Sequence, residues 1–206
     1  MRVLIVDDHL IVASGCRALF AGDASVHILE ASDAESGERA FADERPDVCV
    51  IDINLPGLSG FELTRRILAR DAAARIIMFS MNDDPIFAAR AIETGAKGYV
   101  SKSGDPFHLV EAIREVGGGG SWLPPALARS LAFGGPSFGA SPLSKLNARE
   151  IEILRLLGAG KSLTEIAWQV RVSYKTIANT SSIMRQKLGL RTSAELVRLA
   201  VESRLI

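Results

Sequence analysis

Short apolar runs alternate with amphipathic segments along the first 117 residues of the chain. Each run has four or five residues and is bounded by turn-forming or acidic residues, which is typical of strands buried on both faces of a sheet. The segments between the runs have helical periodicity and helix start signals. The predicted strands are 2–6, 26–30, 48–52, 76–80 and 98–101. This alternation predicts an α/β fold of five β-α units, a (βα)5 domain with a parallel five-stranded sheet.

The helices of this first domain begin at recognisable capping residues. Ser32 with Glu35, and Ser59 with Glu62, match the capping box, in which a hydroxyl and a carboxylate satisfy the first free amides of a helix. We therefore expect Ser32 and Ser59 to be N-caps.

Four consecutive glycines, 117–120, interrupt the β-α pattern. The chain then remains rich in Gly, Pro, Ser and Ala, and we predict a linker over 118–143 with one short helix through 125–133. From 144 to 206 the pattern is entirely helical. Two short helices joined by 171–173 have the proportions of a helix-turn-helix. The predicted organisation is thus a domain at 1–117, a linker, and a small all-α domain at 144–206.

The carboxyl ends of the predicted strands carry acidic residues and a lysine. Asp7 and Asp8 follow the first strand, Asp52 ends the third, and Lys102 follows the fifth. In a five-unit sheet the first strand neighbours the third, so the three carboxylates should lie together. Carboxylate and carbonyl oxygens suit Mg²⁺, and an aspartate beside Mg²⁺ and a lysine can accept a phosphoryl group. A single acid at the end of a strand is as consistent with a helix cap as with a functional site. Three acids and a lysine at the ends of three strands favour the functional site. We assign no catalytic role to His9.

Composition indicates where the protein is located and shows a difference in net charge between the two parts of the chain. The 206 residues carry 24 basic and 24 acidic side chains, but residues 1–140 have a balance of −6 and residues 141–206 a balance of +6. A basic second domain favours a polyanionic partner. No apolar run is long enough for a membrane span, and the N-terminus has no signal-peptide pattern, so we predict a cytoplasmic protein without a membrane partner. Cys16 and Cys49 are expected to be buried free thiols.

The first domain resembles the receiver domain of two-component response regulators. The residues that carry the resemblance are Asp7, Asp8, Asp52 with Asn54-Leu55-Pro56-Gly57, Ser80, Tyr99 and Lys102. The resemblance implies that a sensor histidine kinase phosphorylates Asp52. It also implies that Asp8, Asp52 and the Asn54 carbonyl hold Mg²⁺, with Asp7 acting through water. Lys102 would pair with the phosphoryl group, and Ser80 and Tyr99 would form a switch pair.

The second domain resembles the LuxR-type helix-turn-helix of the NarL/FixJ subfamily. The matching residues include 146–150, Glu165-Ile166-Ala167, Lys175-Thr176-Ile177 and Lys187-Leu188-Gly189. The resemblance implies binding of double-stranded DNA. The candidate contacts are Lys175, Thr176, Arg185 and Lys187 to phosphates, and Asn179, Ser181 and Ser182 to bases or phosphates. Ala178, Thr180 and Ser182 stand where the family often has basic residues or histidine. The final helix, 192–204, is the predicted dimer surface.

These features predict a transcription regulator that forms a homodimer when phosphorylated. They predict no enzymatic activity beyond self-phosphorylation and dephosphorylation at Asp52. The alternative is an interaction protein that acts without phosphorylation, or that sequesters a partner, with weak or lost DNA binding. The departures at Ala178 and Thr180 keep this alternative open.

Overall fold

A computed structural model describes residues 1–81, 85–132, 142–170 and 172–203. The chain divides into two compact units, Met1–Gly139 and Ala140–Ile206. The helical end points predicted at Phe133 and Arg204, and the turn residue Arg171, lie outside the described residues.

The first unit is a parallel five-stranded sheet with helices between its strands, as predicted. Its order β2-β1-β3-β4-β5 places β1 beside β3. The second strand begins one residue later than expected. The elements are β1 Arg2–Val6, α1 Leu10–Leu19, β2 His27–Ala31, α2 Ala34–Glu44, β3 Val48–Asp52, α3 Gly60–Arg70, β4 Ile76–Ser80, α4 Pro85–Thr94, β5 Gly98–Ser101, α5 Phe107–Gly117 and α6 Pro125–Ala132.

The central strands β3 and β4 are buried along their whole length, because helices cover both faces of the sheet. One core cluster packs alternate residues of β1, β3, β4 and β5 against α1 and α5, and includes Val50, Phe79 and Cys16. Cys16 and Cys49 are both free and buried, as predicted. Burial raises the pKa of the Cys49 thiol to about 12, so this thiol stays protonated at neutral pH.

The N-cap of α2 differs from the expected one. Asp33, not Ser32, is the N-cap, and its carboxylate accepts the backbone N–H of Ser36 at 2.8 Å. Ser36 completes the box by accepting the N–H of Asp33, so Glu35 is not the reciprocal partner. Two adjacent residues can both cap, and the carboxylate is the stronger acceptor of the pair. At α3, Ser59 is the N-cap as predicted.

The segment predicted as a linker is structured through Ala132 and contains the short helix predicted there. The amides of Gly118, Gly119 and Gly120 all bond back to carbonyls of α5. Trp122 then pairs with the edge of β5: its N–H donates to Lys97 O at 3.0 Å, and its carbonyl accepts the N–H of Tyr99 at 3.1 Å. An exposed strand edge offers unpaired backbone groups, and this short segment satisfies them. The helix α6 follows and packs against α4.

The second unit is all-helical, as predicted. Its elements are a 3₁₀ turn Pro142–Lys145 and the helices α7 Ala148–Gly158, α8 Leu163–Gln169, α9 Tyr174–Leu188 and α10 Ser193–Glu202. Capping boxes at Asn147, Ser162 and Thr192 start α7, α8 and α10. Ile177 and Met184 of α9 and Leu196 of α10 are fully buried inside this unit.

Among the residues that the structure describes, no helix has both the length and the apolar composition required to span a membrane.

Candidate functional site

The polar end of the sheet gathers side chains from three strands. Asp7 follows β1 directly, Asp52 is the last residue of β3, and Lys102 follows the last residue of β5. Backbone bonds fix two of these positions. The N–H of Asp7 donates to Ala31 O at 3.0 Å, and the N–H of Lys102 donates to Ser80 O at 2.7 Å. Strand pairing therefore fixes the positions of these residues, and no long loop is needed to bring them together.

Lys102 bridges two buried carboxylates. Its Nζ lies 2.6 Å from Asp7 Oδ2 and 3.0 Å from Asp52 Oδ2. All three side chains are at most 5% exposed. The other oxygen of Asp52 accepts the N–H of Asn54 at 3.2 Å. Lys102 thus compensates the repulsion between two carboxylates that burial and neighbouring strands force together.

The pKa of the Asp52 carboxyl is raised above its usual range. Burial is the main cause, since it penalises the charged form, and Lys102 opposes it by stabilising the carboxylate. The negative charge of Asp7 then raises the pKa further. A second cation at this edge would act in the same direction as Lys102.

His9 belongs to this site, although the sequence interpretation gave it no role. Its Nδ1 lies 3.1 Å from Asp7 Oδ1 and 2.9 Å from Asp8 Oδ1. One ligand atom from each of Asp7, Asp8, His9 and Asp52 can be chosen so that all lie within 4.8 Å of one another. His9 directly follows the Asp7-Asp8 pair in the sequence, and this adjacency could have indicated that it belongs to the acidic site.

These donors fit a divalent cation. When the three carboxyl groups are ionised and His9 is neutral, the set with Lys102 has a net charge of −2. A divalent ion would balance that charge, and carboxylates are its usual ligands. The site is therefore compatible with a metal. The backbone carbonyl of Asn54 as a further ligand stays a prediction.

Ser80 and Tyr99 lie on strands next to the acidic site. Ser80 ends β4 and follows Phe79, which pairs in register with Asp52. Tyr99 of β5 is fully buried. Its backbone N–H donates to Trp122 O at 3.1 Å, so a backbone shift at Tyr99 would also move the segment that leads to α6. The role of the two residues as a switch pair stays a prediction.

The raised pKa of Asp52 predicts that Asp52→Asn stabilises the metal-free protein at neutral pH. A carboxyl whose folded pKa lies above the unfolded value of about 3.9 contributes stability at low pH that is lost as pH rises through the folded pKa. Asparagine does not titrate, so the variant does not lose this stability as pH rises. We expect its free energy of unfolding, measured with urea and EDTA, to exceed that of the wild type at pH 7 and the difference to shrink toward pH 4.

Asp43→Asn is the control for this prediction, because Asp43 is exposed on α2. Its substitution should change the unfolding free energy by less than about 0.5 kcal/mol at either pH. A pH-independent effect of Asp52→Asn would contradict the electrostatic explanation.

The exposed face of α9 carries most of the predicted DNA contacts. Lys175, Asn179 and Ser182 are exposed at spacings of four and three residues, so they share one helix face. Thr176 is also exposed, and its hydroxyl lies 2.8 Å from that of the N-cap Ser173. These four side chains are available to a ligand.

Three other candidates are buried or make contacts within the second unit. Ser181 is 5% exposed and points into the second unit, so its predicted contact with DNA is wrong. Lys187 Nζ lies 2.8 Å from the buried carboxylate of Glu150, which joins α9 to α7. Arg185 is partly buried and its guanidinium approaches Arg191 O at 3.4 Å. The repeated helix period could have shown Ser181 as inward, since it lies four residues after Ile177.

The fold and this site define a class of protein: a receiver with an acidic site at the carboxyl edge of its sheet, followed by a helix-turn-helix unit. The response regulator receiver domain family matches residues 3–114, and the luxR family of bacterial regulatory proteins matches residues 144–200. The chain therefore belongs to the two-component response regulators of the NarL/FixJ type, whose LuxR-type DNA-binding domain regulates transcription.

Individual relatives agree with this assignment. The transcriptional activator protein ExaE of Pseudomonas putida is 35% identical over 212 residues, covering 100% of this chain and 98% of ExaE. A LuxR-family response regulator from Aurantimonas sp. SI85-9A1 is 41% identical with a TM-score of 0.61, covering 64% of this chain and 95% of that one. RcsB from Salmonella enterica serovar Typhimurium, solved on the promoter rprA with the phosphomimetic BeF3-, is 27% identical with a TM-score of 0.61, covering 98% of each chain.

Proposed function

We propose that a sensor histidine kinase phosphorylates Asp52 in a Mg²⁺-dependent reaction and that this modification controls dimerisation and DNA binding. The observation that carries the proposal is the pairing of the buried Asp52 Oδ2 with Lys102 Nζ at 3.0 Å, beside Asp7 and Asp8. A carboxylate held at a sheet edge among further metal-ligating acids and one cation is suited to phosphoryl transfer.

The chemistry is a transfer to the carboxylate. A bond forms between Asp52 Oδ and phosphorus while the bond from phosphorus to the kinase histidine breaks, and the histidine leaves with the electron pair. Asp7 and Asp8, with Asp52 and the Asn54 carbonyl, would hold Mg²⁺, which supplies positive charge to the phosphoryl oxygens when bound. Lys102 pairs with the incoming charge, and Asn54 N–H positions Asp52.

The product state acts through Ser80 and Tyr99. In our proposal Ser80 turns toward the new phosphoryl oxygens and Tyr99 repacks, which changes the surface of α4, β5 and α5 and favours a homodimer. Dimers place two helix-turn-helix units on paired half-sites of double-stranded DNA. The solved complex of RcsB with its promoter in the presence of a phosphomimetic supports the DNA partner. The final helix, α10, is the proposed dimer surface of the second unit.

The test is labelling of the full chain by a small radioactive phosphodonor with Mg²⁺. We expect wild-type protein and Asp43→Asn to be labelled and Asp52→Asn to remain unlabelled, because the acceptor oxygen is gone. Removal of Mg²⁺ with EDTA should abolish the labelling of the wild type. Persistent labelling of Asp52→Asn would overturn the assignment of the acceptor.

Lys175 and Lys187 of α9 are both exposed, but only Lys187 pairs with the buried Glu150, so their substitutions should have different effects. Lys175→Gln should reduce the slope of log K against log salt concentration for duplex DNA by about 1, since it removes one phosphate contact. Lys187→Gln should leave that slope unchanged and instead destabilise the second unit by about 2 kcal/mol, because it leaves Glu150 buried without its cation. Fluorescence anisotropy and urea unfolding measure the two effects. An equal loss of slope in both variants would contradict this division.

A second candidate function is an interaction protein that sequesters partners with weak DNA binding. Two contacts favour it: Lys187 is bound to Glu150, and the Thr180 hydroxyl donates to Thr176 O at 2.8 Å. The first contact engages a predicted phosphate ligand, and the second engages a hydroxyl that could otherwise meet a base. Binding to duplex DNA that does not respond to salt or phosphodonor would favour this candidate, whereas a steep salt dependence excludes it.

We propose further that the protein acts in the cytoplasm, where DNA and the kinase's phosphorylated histidine are both accessible. Its only reactions would be phosphorylation and dephosphorylation at Asp52.

A further inference from the structure

The side chain of His9 lies against the acidic site and makes its polar contacts there. His9 is the N-cap of α1, yet its side chain makes no capping bond to the helix. Instead, Nδ1 points back to the acidic site, 2.9 Å from Asp8 Oδ1 and 3.1 Å from Asp7 Oδ1. The backbone N–H of His9 also donates to Asp7 Oδ1 at 2.9 Å, which fixes the residue beside that carboxylate.

These two spacings match the edge length of a coordination octahedron. An octahedral ion with ligands at about 2.1 Å has adjacent ligand atoms about 3.0 Å apart and opposite ones about 4.2 Å apart. The Nδ1 distances to the two carboxylate oxygens agree with the first value. The spread of 4.8 Å or less across the donors of Asp7, Asp8, His9 and Asp52 accommodates the second.

We propose that His9 Nδ1 is a direct ligand of the divalent cation and that it widens the metal preference of the site. Imidazole nitrogen favours Co²⁺ and Ni²⁺, whereas carboxylate and carbonyl oxygen favour Mg²⁺ and Mn²⁺. A site of three carboxylates and one imidazole therefore binds the nitrogen-seeking ions with extra affinity that an all-oxygen site lacks. This inference rests on the cation site of the proposed function.

His9→Phe tests the inference, because it keeps a planar ring and removes both nitrogens. The His9 side chain is 58% exposed, so the ring change creates no cavity. His27→Phe is the matched control on the exposed edge strand β2, where an aromatic residue is well tolerated. All proteins carry no histidine tag, and urea unfolding confirms that each variant is folded.

The first measurement is the dissociation constant of each ion by titration calorimetry. We expect His9→Phe to bind Ni²⁺ about tenfold or more weakly than the wild type, while Mg²⁺ affinity changes by less than about threefold. His27→Phe should match the wild type with both ions. Equal weakening of Ni²⁺ and Mg²⁺, or tighter Mg²⁺ binding, would overturn the inference and make His9 a competitor for the carboxylates.

The second measurement detects the nitrogen directly. Pulsed electron paramagnetic resonance of bound Mn²⁺ should show nitrogen modulation from imidazole in the wild type and in His27→Phe, and none in His9→Phe. Mn²⁺ bound without nitrogen modulation in the wild type would overturn the ligand assignment. If that protein still accepts a phosphoryl group at Asp52, the proposed function stands while this inference falls, so the two failures are distinguishable.

Discussion

Gly60→Ala is expected to destabilise the first unit by about 3 kcal/mol, the upper range for an overpacked core. Gly60 is the first residue of α3, where the helix start meets the end of β3. A methyl group at this position would lie 2.0 Å from the backbone oxygen of Asp52 and 3.0 Å from the Ile51 side chain. The obstacle is backbone, which cannot rotate away. The helix start must therefore move, and Asp52 must move with it.

The measurement is urea unfolding followed by the fluorescence of Trp122. A Trp168→Phe background, in which Trp122 is the remaining tryptophan, restricts the signal to the first unit. Gly15→Ala is the control, because the same methyl group on the exposed face of α1 meets no atom within 4 Å. It should be neutral or stabilising by about 0.5–1 kcal/mol, as alanine is the better helix former. A loss below about 1 kcal/mol for Gly60→Ala would contradict the argument.

The position of the site could be predicted from the sequence because it depends on strands. Asp7, Asp52 and Lys102 each follow an apolar run, and parallel strands deliver their carboxyl ends to one edge. The five strands followed from the same pattern, and the first strand lies beside the third as predicted. In these cases the local pattern and the tertiary fold agree, so the pattern of apolar residues was sufficient to predict the strands.

The residues that escaped prediction depend on side-chain direction or on a partner distant in sequence. His9 turns toward the acids by its side-chain rotation, which no periodicity encodes. Trp122 stands in a stretch of turn-forming residues, and its pairing with β5 follows from the unpaired edge of that strand. The ion pair of Lys187 with Glu150, 37 positions away, could not be seen in the sequence, whereas the charge of Lys187 could; its phosphate contact stays a prediction.

Lys102 is the residue whose loss should disturb both the stability and the chemistry of the site. In Lys102→Met the long apolar stem is retained and the charge removed, so Asp7 and Asp52 remain buried without their common cation. Breaking a buried pair by removing one partner costs about 3–5 kcal/mol. We expect a loss of this size at pH 8 in EDTA. The loss should diminish at lower pH, since burial and Asp7 then raise the pKa of Asp52 without the opposing effect of Lys102.

Mg²⁺ provides the decisive comparison for this variant. A divalent ion at the same edge would replace the missing charge, so the addition of Mg²⁺ should stabilise Lys102→Met more than it stabilises the wild type. Lys97→Met is the control, since Lys97 is exposed just before β5, and it should change stability by less than about 0.5 kcal/mol in either condition. Equal stabilisation of Lys102→Met and wild type by Mg²⁺ would show that the ion and the lysine do not share the carboxylates. The charge balance that supports the cation site would then be wrong.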